Sequence, residues 1–94
     1  MSGFWVVRGG AIKDETALTE YAGLWAPIAE RYGAEVIAGR GTVDTREGPH
    51  FPRQLVIQFP SYQDAVACYE DAQYKIAMEV ANRAYDRELV ILEG

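Results

Sequence analysis

The pattern of apolar and polar residues along the chain changes period several times, and each change predicts the start of a new element. Aromatic and β-branched residues follow one another in four stretches, as is typical of strands. Glycines or prolines punctuate several of these stretches and mark turns between them. The predicted strands are Phe4–Arg8, Ala34–Arg46, Arg53–Phe59 and Glu88–Leu92. We expect the second strand to bend at Gly39-Arg40-Gly41, where glycines favour a bulge.

Between the strands, apolar residues recur at spacings of three and four, which predicts helices. The first helix starts at an N-cap, Asp14, and ends before Gly33. Its apolar stripe consists of Leu18, Tyr21, Trp25, Ile28 and Tyr32. A second helix follows Ser61, which forms an S-x-x-D capping box with Asp64, and Asp71 is expected to restart a short further helix.

The resulting order is β-α-β-β-α-β. With right-handed crossovers this order gives the ferredoxin-like α+β fold, a four-stranded antiparallel sheet with the helices on one face. A chain of 94 residues suffices for one core, so we expect residues 1–94 to form a single domain.

The strands are apolar on consecutive residues, as in Leu89-Val90-Ile91-Leu92. An antiparallel sheet with one face in water alternates apolar and polar residues instead. Leaving one face bare would cost roughly 1.5–3 kcal/mol for each large side chain. We therefore expect a second copy of the chain to cover that face, giving a homodimer in the form of a dimeric α/β barrel.

Charge and hydropathy exclude several classes of partner. The chain carries 9 basic and 14 acidic residues, a net charge of −5, which opposes nucleic acid and anionic membranes. No apolar run is long enough to span a bilayer or to form a signal peptide, so we expect a cytoplasmic protein without a membrane partner. The single cysteine, Cys68, fits a small buried apolar residue better than a reactive thiol.

Taken in order over nearly the whole chain, a set of short motifs resembles the domain of unknown function 1330 family of the dimeric α/β-barrel superfamily. The motifs are Glu20-Tyr21, Tyr32-Gly33, Gly39-Arg40-Gly41, Glu47-Gly48, Arg53, Leu55 to Ser61, Ala65, Tyr69, Tyr74 and Glu93-Gly94. The resemblance implies the same fold and dimer, but the family carries no established reaction. Relatives often have Glu where this chain has Gln58, so a carboxylate role is excluded there.

Two arginines form the best polar pair for a binding site. Arg40 lies between two glycines, and Arg53 opens the strand across the predicted hairpin. Two guanidinium groups could clamp a carboxylate, although both could equally form ordinary surface ion pairs. Tyr21 and Tyr69, together with Trp5, Trp25 and Tyr74, are candidates for the wall of an aromatic pocket between the helices and the sheet, or else belong to the plain core.

His50 is the only histidine and lies in the proline-flanked loop between the second and third strands. It is a candidate general acid or base, because its side chain titrates near neutrality, or else a solvent-exposed residue without a role. No spacing of His, Cys, Asp or Glu indicates a metal site, and no motif indicates a cofactor.

The sequence is compatible with two classes of function. In the first, the barrel binds a small anionic or carbonyl-bearing molecule; superfamily members that the chain resembles include cofactor-independent oxygenases and isomerases. In the second, the chain is a non-catalytic dimeric interaction module. A cavity of about 300 Å³ or more, with at least two polar side chains pointing into it, would favour the first class.

Overall fold

The strands form one antiparallel sheet in the order β2-β3-β1-β4. The computed structural model describes residues 1–94, and its strands are β1 (Gly3–Gly9), β2 (Glu35–Ala38), β3 (Arg53–Phe59) and β4 (Arg87–Glu93). The helices are α1 (Glu15–Tyr32), α2 (Tyr62–Glu70) and α3 (Ala72–Ala84). This order is the predicted ferredoxin-like fold, with two helices in the second crossover. None of the helices is both long enough and apolar enough to cross a membrane.

Each helix starts at the residue that the sequence predicts. The Asp14 carboxylate accepts a hydrogen bond from the amide of Ala17 at 3.0 Å, and Ser61 Oγ accepts one from the amide of Asp64 at 3.1 Å. Gly33 ends α1 in the left-handed conformation, with φ of 66°. Asp71 ends α2 and caps α3, which is 13 residues long and therefore longer than expected.

The second strand is shorter than predicted. The sequence indicates a strand over Ala34–Arg46, but β2 ends at Ala38, after a register shift in its pairing with β3. Gly39 then takes a φ of 113°, and a side chain there would collide with the carbonyl oxygen of Gln54. This turn leads the chain away from β3, so residues 39–52 lack a strand partner and form an irregular loop.

The two faces of the sheet have different environments. Trp5 and Val7 of β1 lie under the helices and are buried. On β4, Val90 and Leu92 pair with Val6 and Phe4 and have the opposite orientation, and 52% and 50% of their surface is exposed. The face away from the helices, which we call the open face, is therefore apolar and largely uncovered in a single chain.

The core under the helices is aromatic and centred on Tyr74 of α3. Its ring lies 4.9 Å from that of Trp5 and 5.7 Å from that of Trp25, centroid to centroid. Tyr74 and Trp5 are both fully buried. The Trp5 indole N–H donates to the carbonyl oxygen of Ala65 at 3.0 Å, so its one polar atom has a partner. This cluster fixes α1, α2 and α3 against β1.

We expect the substitution Asp14→Ala to lower the free energy of unfolding by about 1 kcal/mol, because it removes the oxygen that accepts from the Ala17 amide at the start of α1. Urea denaturation followed by circular dichroism measures the change. The control Asp14→Asn keeps a capping oxygen and should be close to wild type. Equal losses in both variants would contradict the role of the cap.

Candidate functional site

A cavity of about 310 Å³ lies between α1 and the helix-facing side of the sheet. Its wall is apolar and aromatic except for three arginines, Arg40, Arg53 and Arg87. We call it the arginine cavity. The rest of the wall consists of Val7, Leu18, Tyr21, Ala22, Trp25, Val36, Leu55, Ile57 and Tyr85. No acidic residue lines it.

The strand register places Arg53 and Arg87 opposite the same residue of β1. Gly9 of β1 pairs with Arg53 on β3 and with Arg87 on β4. Gly9 has no side chain, and the ring of Tyr85 lies over it: a Cβ at position 9 would come within 2.6 Å of that ring. The Tyr85 ring therefore occupies the space above Gly9, and a larger residue at position 9 would displace it.

Pairing with acids divides the arginines of the chain into two groups. The surface arginines Arg8, Arg31, Arg46 and Arg83 each form an ion pair with an Asp or Glu. Arg40, Arg53 and Arg87 do not. All the arginines without an acidic partner therefore line the same cavity.

Arg53 and Arg87 are held in place by aromatic groups instead of acids. The Arg53 guanidinium carbon lies 5.2 Å from the centroid of the Tyr85 ring, and that of Arg87 lies 5.3 Å from the centroid of the Tyr21 ring. Such cation–π contacts orient a guanidinium group without neutralising its charge. Arg53 Nε is buried and has no hydrogen-bond partner at all, which is rare in a folded protein.

Arg87 also takes part in a buried chain of hydrogen bonds. Its Nη2 donates to the Tyr74 hydroxyl at 2.7 Å, and the Tyr74 and Tyr21 hydroxyls lie 3.2 Å apart. Burial, and next the neighbouring Tyr21, raise the pKa of Tyr74. Burial alone would lower the pKa of Arg87, but the tyrosine oxygens of Tyr74 and Tyr21 outweigh it and the net pKa is raised. Arg87 therefore stays a cation, and Tyr74 stays a neutral phenol, at physiological pH.

The structure brings some of the sequence-predicted site residues together and separates others. Arg40, Arg53 and Tyr21 line the arginine cavity. Tyr69 lines a neighbouring depression of about 220 Å³ on the other side of Arg87, where its hydroxyl donates to Met78 Sδ at 3.2 Å. The break between α2 and α3 places it there.

His50 lies away from the arginine cavity, in the loop between β2 and β3. Its Nδ1 is 2.8 Å from Thr45 Oγ1, and both side chains are exposed. The Thr45 hydroxyl is the side-chain partner of His50, and no carboxylate is bonded to the imidazole.

Sequence reasoning overlooked Arg87 and Tyr85. Arg87 opens the last strand two residues before Leu89, and residues two apart share a face of the sheet. Extending the predicted strand by one residue would have placed Arg87 on the helix-facing side beside Arg53. Tyr85 gives no such signal, because it lies between α3 and β4, outside any periodic pattern.

The sequence of the chain matches a known protein family. The profile of the family described as Domain of unknown function (DUF1330) matches residues 2–94. The chain belongs to this family. No curated protein matches it in sequence.

Solved structures similar to this DUF1330 chain support the fold. A protein of unknown function from Rhodopseudomonas palustris, RPA0582, is 19% identical with a TM-score of 0.75, and the match covers 99% of this chain and 82% of that one. A dimeric protein of unknown function and ferredoxin-like fold from Bacteroides fragilis is 13% identical with a TM-score of 0.54, covering 99% and 96%. A third, described as an antibiotic biosynthesis monooxygenase, is 16% identical with a TM-score of 0.52, covering 100% and 98%.

A second, larger cavity of about 510 Å³ lies on the open face of this DUF1330 fold, under the loop between β2 and β3. Val6 and Val56 form part of its apolar floor, and the loop residues Asp44, Arg46 and Glu47 line its other side. Arg46 pairs with Asp44 at 2.9 Å, so its charge is already compensated. The two cavities therefore differ: only the helix-side cavity is lined by arginines without an acidic partner.

We expect the Cys68 thiol to resist modification in the folded protein, because burial raises its pKa to about 12 and leaves it neutral at pH 8. Reaction with Ellman's reagent at pH 8, monitored at 412 nm, should be negligible until urea unfolds the chain. Rapid stoichiometric reaction of the native protein would contradict the expected protection of the thiol and would indicate a reactive cysteine.

Proposed function

We propose that this protein is a homodimer that binds a small anionic or carbonyl-bearing molecule in the arginine cavity of each chain. One observation carries the proposal: the arginines without an acidic partner, Arg40, Arg53 and Arg87, all line one cavity, and that cavity contains no acid. An anion supplied from outside would compensate them.

The energetics of buried charge support an anionic ligand. Arg53 and Arg87 are partly shielded from water, so each guanidinium has lost some of its hydration without gaining a carboxylate. Arg53 Nε has lost its partner altogether. A carboxylate can accept two parallel hydrogen bonds from one guanidinium, and each charge-assisted bond contributes about 1.5–3 kcal/mol.

The apolar part of the cavity wall and the cavity volume restrict the size and polarity of the ligand. Leu18, Leu55 and Ile57 offer only apolar surface to a molecule in the cavity. The volume of about 310 Å³ is at the lower end of the range for small-molecule sites. A compact carboxylate with a short apolar or aromatic body therefore fits better than a nucleotide or a sugar phosphate.

The open face supports the dimer. Val6 and Val56 on this face are half-buried, and half of the surface of Val90 and of Leu92 is exposed. A second copy would remove this apolar patch from water, and each large side chain covered contributes up to about 1.5–3 kcal/mol. The similar fold from Bacteroides fragilis is described as dimeric, which supports the same arrangement here.

A cofactor-independent oxygenase or isomerase is the second candidate. The apolar, aromatic wall favours it: Tyr21 and Trp25 lie nearly parallel, at 5°, with centroids 6.5 Å apart on one side of the cavity. The likeness to an antibiotic biosynthesis monooxygenase agrees with this alternative at the level of fold. A purely structural interaction module leaves the unpaired arginines without an explanation, so it ranks last.

We expect Arg40→Ala to weaken binding of 4-methylpentanoate by about tenfold or more while the fold is retained, because an exposed arginine at the cavity contributes contacts to the carboxylate but none to the core. Isothermal titration calorimetry measures the dissociation constant. Arg46→Ala is the matched control, since Arg46 is an exposed arginine that already pairs with Asp44. Equal affinities in wild type and Arg40→Ala would argue against the site.

We expect Val90→Asp to convert a dimer of about 21 kDa, twice the 10.5 kDa chain, into a folded monomer, because it places a charge in the apolar open face. Light scattering coupled to size-exclusion chromatography measures the mass. Ile76→Asp is the control: Ile76 is 60% exposed but lies on α3, away from the sheet, and this variant should remain dimeric. A monomeric wild type at micromolar concentration would refute the dimer.

A further inference from the structure

The hydrogen-bond chain from Arg87 to Tyr21 has a direction. The Tyr74 hydroxyl accepts from Arg87, so its own hydrogen must be donated elsewhere. Tyr74 is fully buried, and the only other group bonded to its hydroxyl is the Tyr21 hydroxyl. A buried hydroxyl hydrogen almost always has an acceptor. Tyr74 is therefore the donor, and the Tyr21 oxygen is the acceptor.

This direction determines what the Tyr21 hydroxyl can do. Its oxygen accepts from Tyr74, and its own hydrogen has no acceptor anywhere in the protein. Tyr21 lines the arginine cavity, with the Arg87 guanidinium over its ring. A hydroxyl that accepts one hydrogen bond becomes a stronger donor, because bonds in a chain polarise one another. Tyr21 thus offers the cavity a polarised hydrogen-bond donor distinct from the guanidinium groups.

We propose that the Tyr21 hydroxyl donates to a second oxygen of the ligand, a carbonyl or oxyanion oxygen, and that the cavity therefore takes oxo acids in preference to simple carboxylic acids. The inference rests on the proposed function, since Arg40 and Arg53 hold the carboxylate. It adds a substrate class and a role for Tyr21 as a residue that determines specificity.

The arrangement of the sheet gives the two ends of the site. Arg53 and Arg87 each pair with Gly9, so their Cα atoms are two strand spacings apart, roughly 10 Å. The Arg53 guanidinium lies over the Tyr85 ring, and the Arg87 guanidinium lies over the Tyr21 ring. Hydrogen-bond donors are therefore present at both ends of the cavity: Arg53 at one end, and Arg87 and the Tyr21 hydroxyl at the other. An acid that carries a carboxylate and a separate oxo group can accept hydrogen bonds at both ends.

Paired acids that differ only in the oxo group test the proposal. The probes are 4-methyl-2-oxopentanoate against 4-methylpentanoate, and 4-oxo-4-phenylbutanoate against 4-phenylbutanoate, which place the oxo group next to the carboxylate or away from it. Isothermal titration calorimetry with the wild-type protein should give an affinity at least tenfold higher for the oxo acid in at least one pair. Tyr21→Phe should abolish this preference and leave the affinity for the simple acids unchanged.

Tyr69→Phe is the matched control, because it removes a tyrosine hydroxyl that bonds to Met78 outside the arginine cavity and leaves the Tyr21 hydroxyl and its partner in place. It should retain the preference for the oxo acid. Thermal unfolding of each variant verifies that it is folded. If Tyr21→Phe does not fold, Tyr74→Phe still tests the proposal: it removes the donor that polarises the Tyr21 hydroxyl, so the preference should fall, and an undiminished preference would overturn the proposal.

The remaining outcomes separate this inference from the proposed function. Equal wild-type affinities within both pairs overturn the role of Tyr21 but leave anion binding standing. A preference that persists in Tyr21→Phe also overturns it. Failure of all four acids to bind wild-type protein overturns both the inference and the anion site.

Discussion

The cavity and the core depend on one buried phenol, that of Tyr74. Its hydroxyl accepts from Arg87 on β4, and its ring contacts Trp5 on β1 and Trp25 on α1. Burying the N–H groups of an arginine or the hydroxyl of a tyrosine costs free energy unless they have hydrogen-bond partners. The hydrogen bond from Arg87 to Tyr74 gives both residues a partner. Together with the ring contacts of Tyr74, it holds the edge strand β4, helix α3 and helix α1 around the cavity.

Local sequence patterns predicted much of this fold. The caps at Asp14 and Ser61 were predictable because capping depends on residues three positions apart. The proximity of Arg40 and Arg53 was predictable because they stand at the two ends of the connection between the neighbouring strands β2 and β3. The length of β2 was not predictable, because residues 42–46 have a strand-like pattern but Gly39 directs them away from β3. A pattern of side chains does not show whether the backbone has a partner.

The composition of the site depended on contacts that no local pattern encodes. Arg87 joins the cavity through the register of β4 against β1, more than 70 residues away in sequence. Tyr69 of α2 lies in a separate depression, which it lines together with Met78 of α3 and Arg87 of β4. Both cases concern how elements are oriented relative to each other, which periodicity within one element does not determine.

The unpaired arginines lie in a chain whose net charge is −5. At physiological ionic strength electrostatic interactions are screened over about 8 Å, which is short compared with a molecule of 30 × 30 × 18 Å. A small monoanion inside the cavity therefore senses mainly the nearby guanidinium groups. A long polyanion extends over the surrounding acidic surface and is repelled along most of its length. For the proposed anion site, this arrangement would favour isolated small anions over polymers, because attraction acts only close to the guanidinium groups while the net negative charge repels a long polyanion.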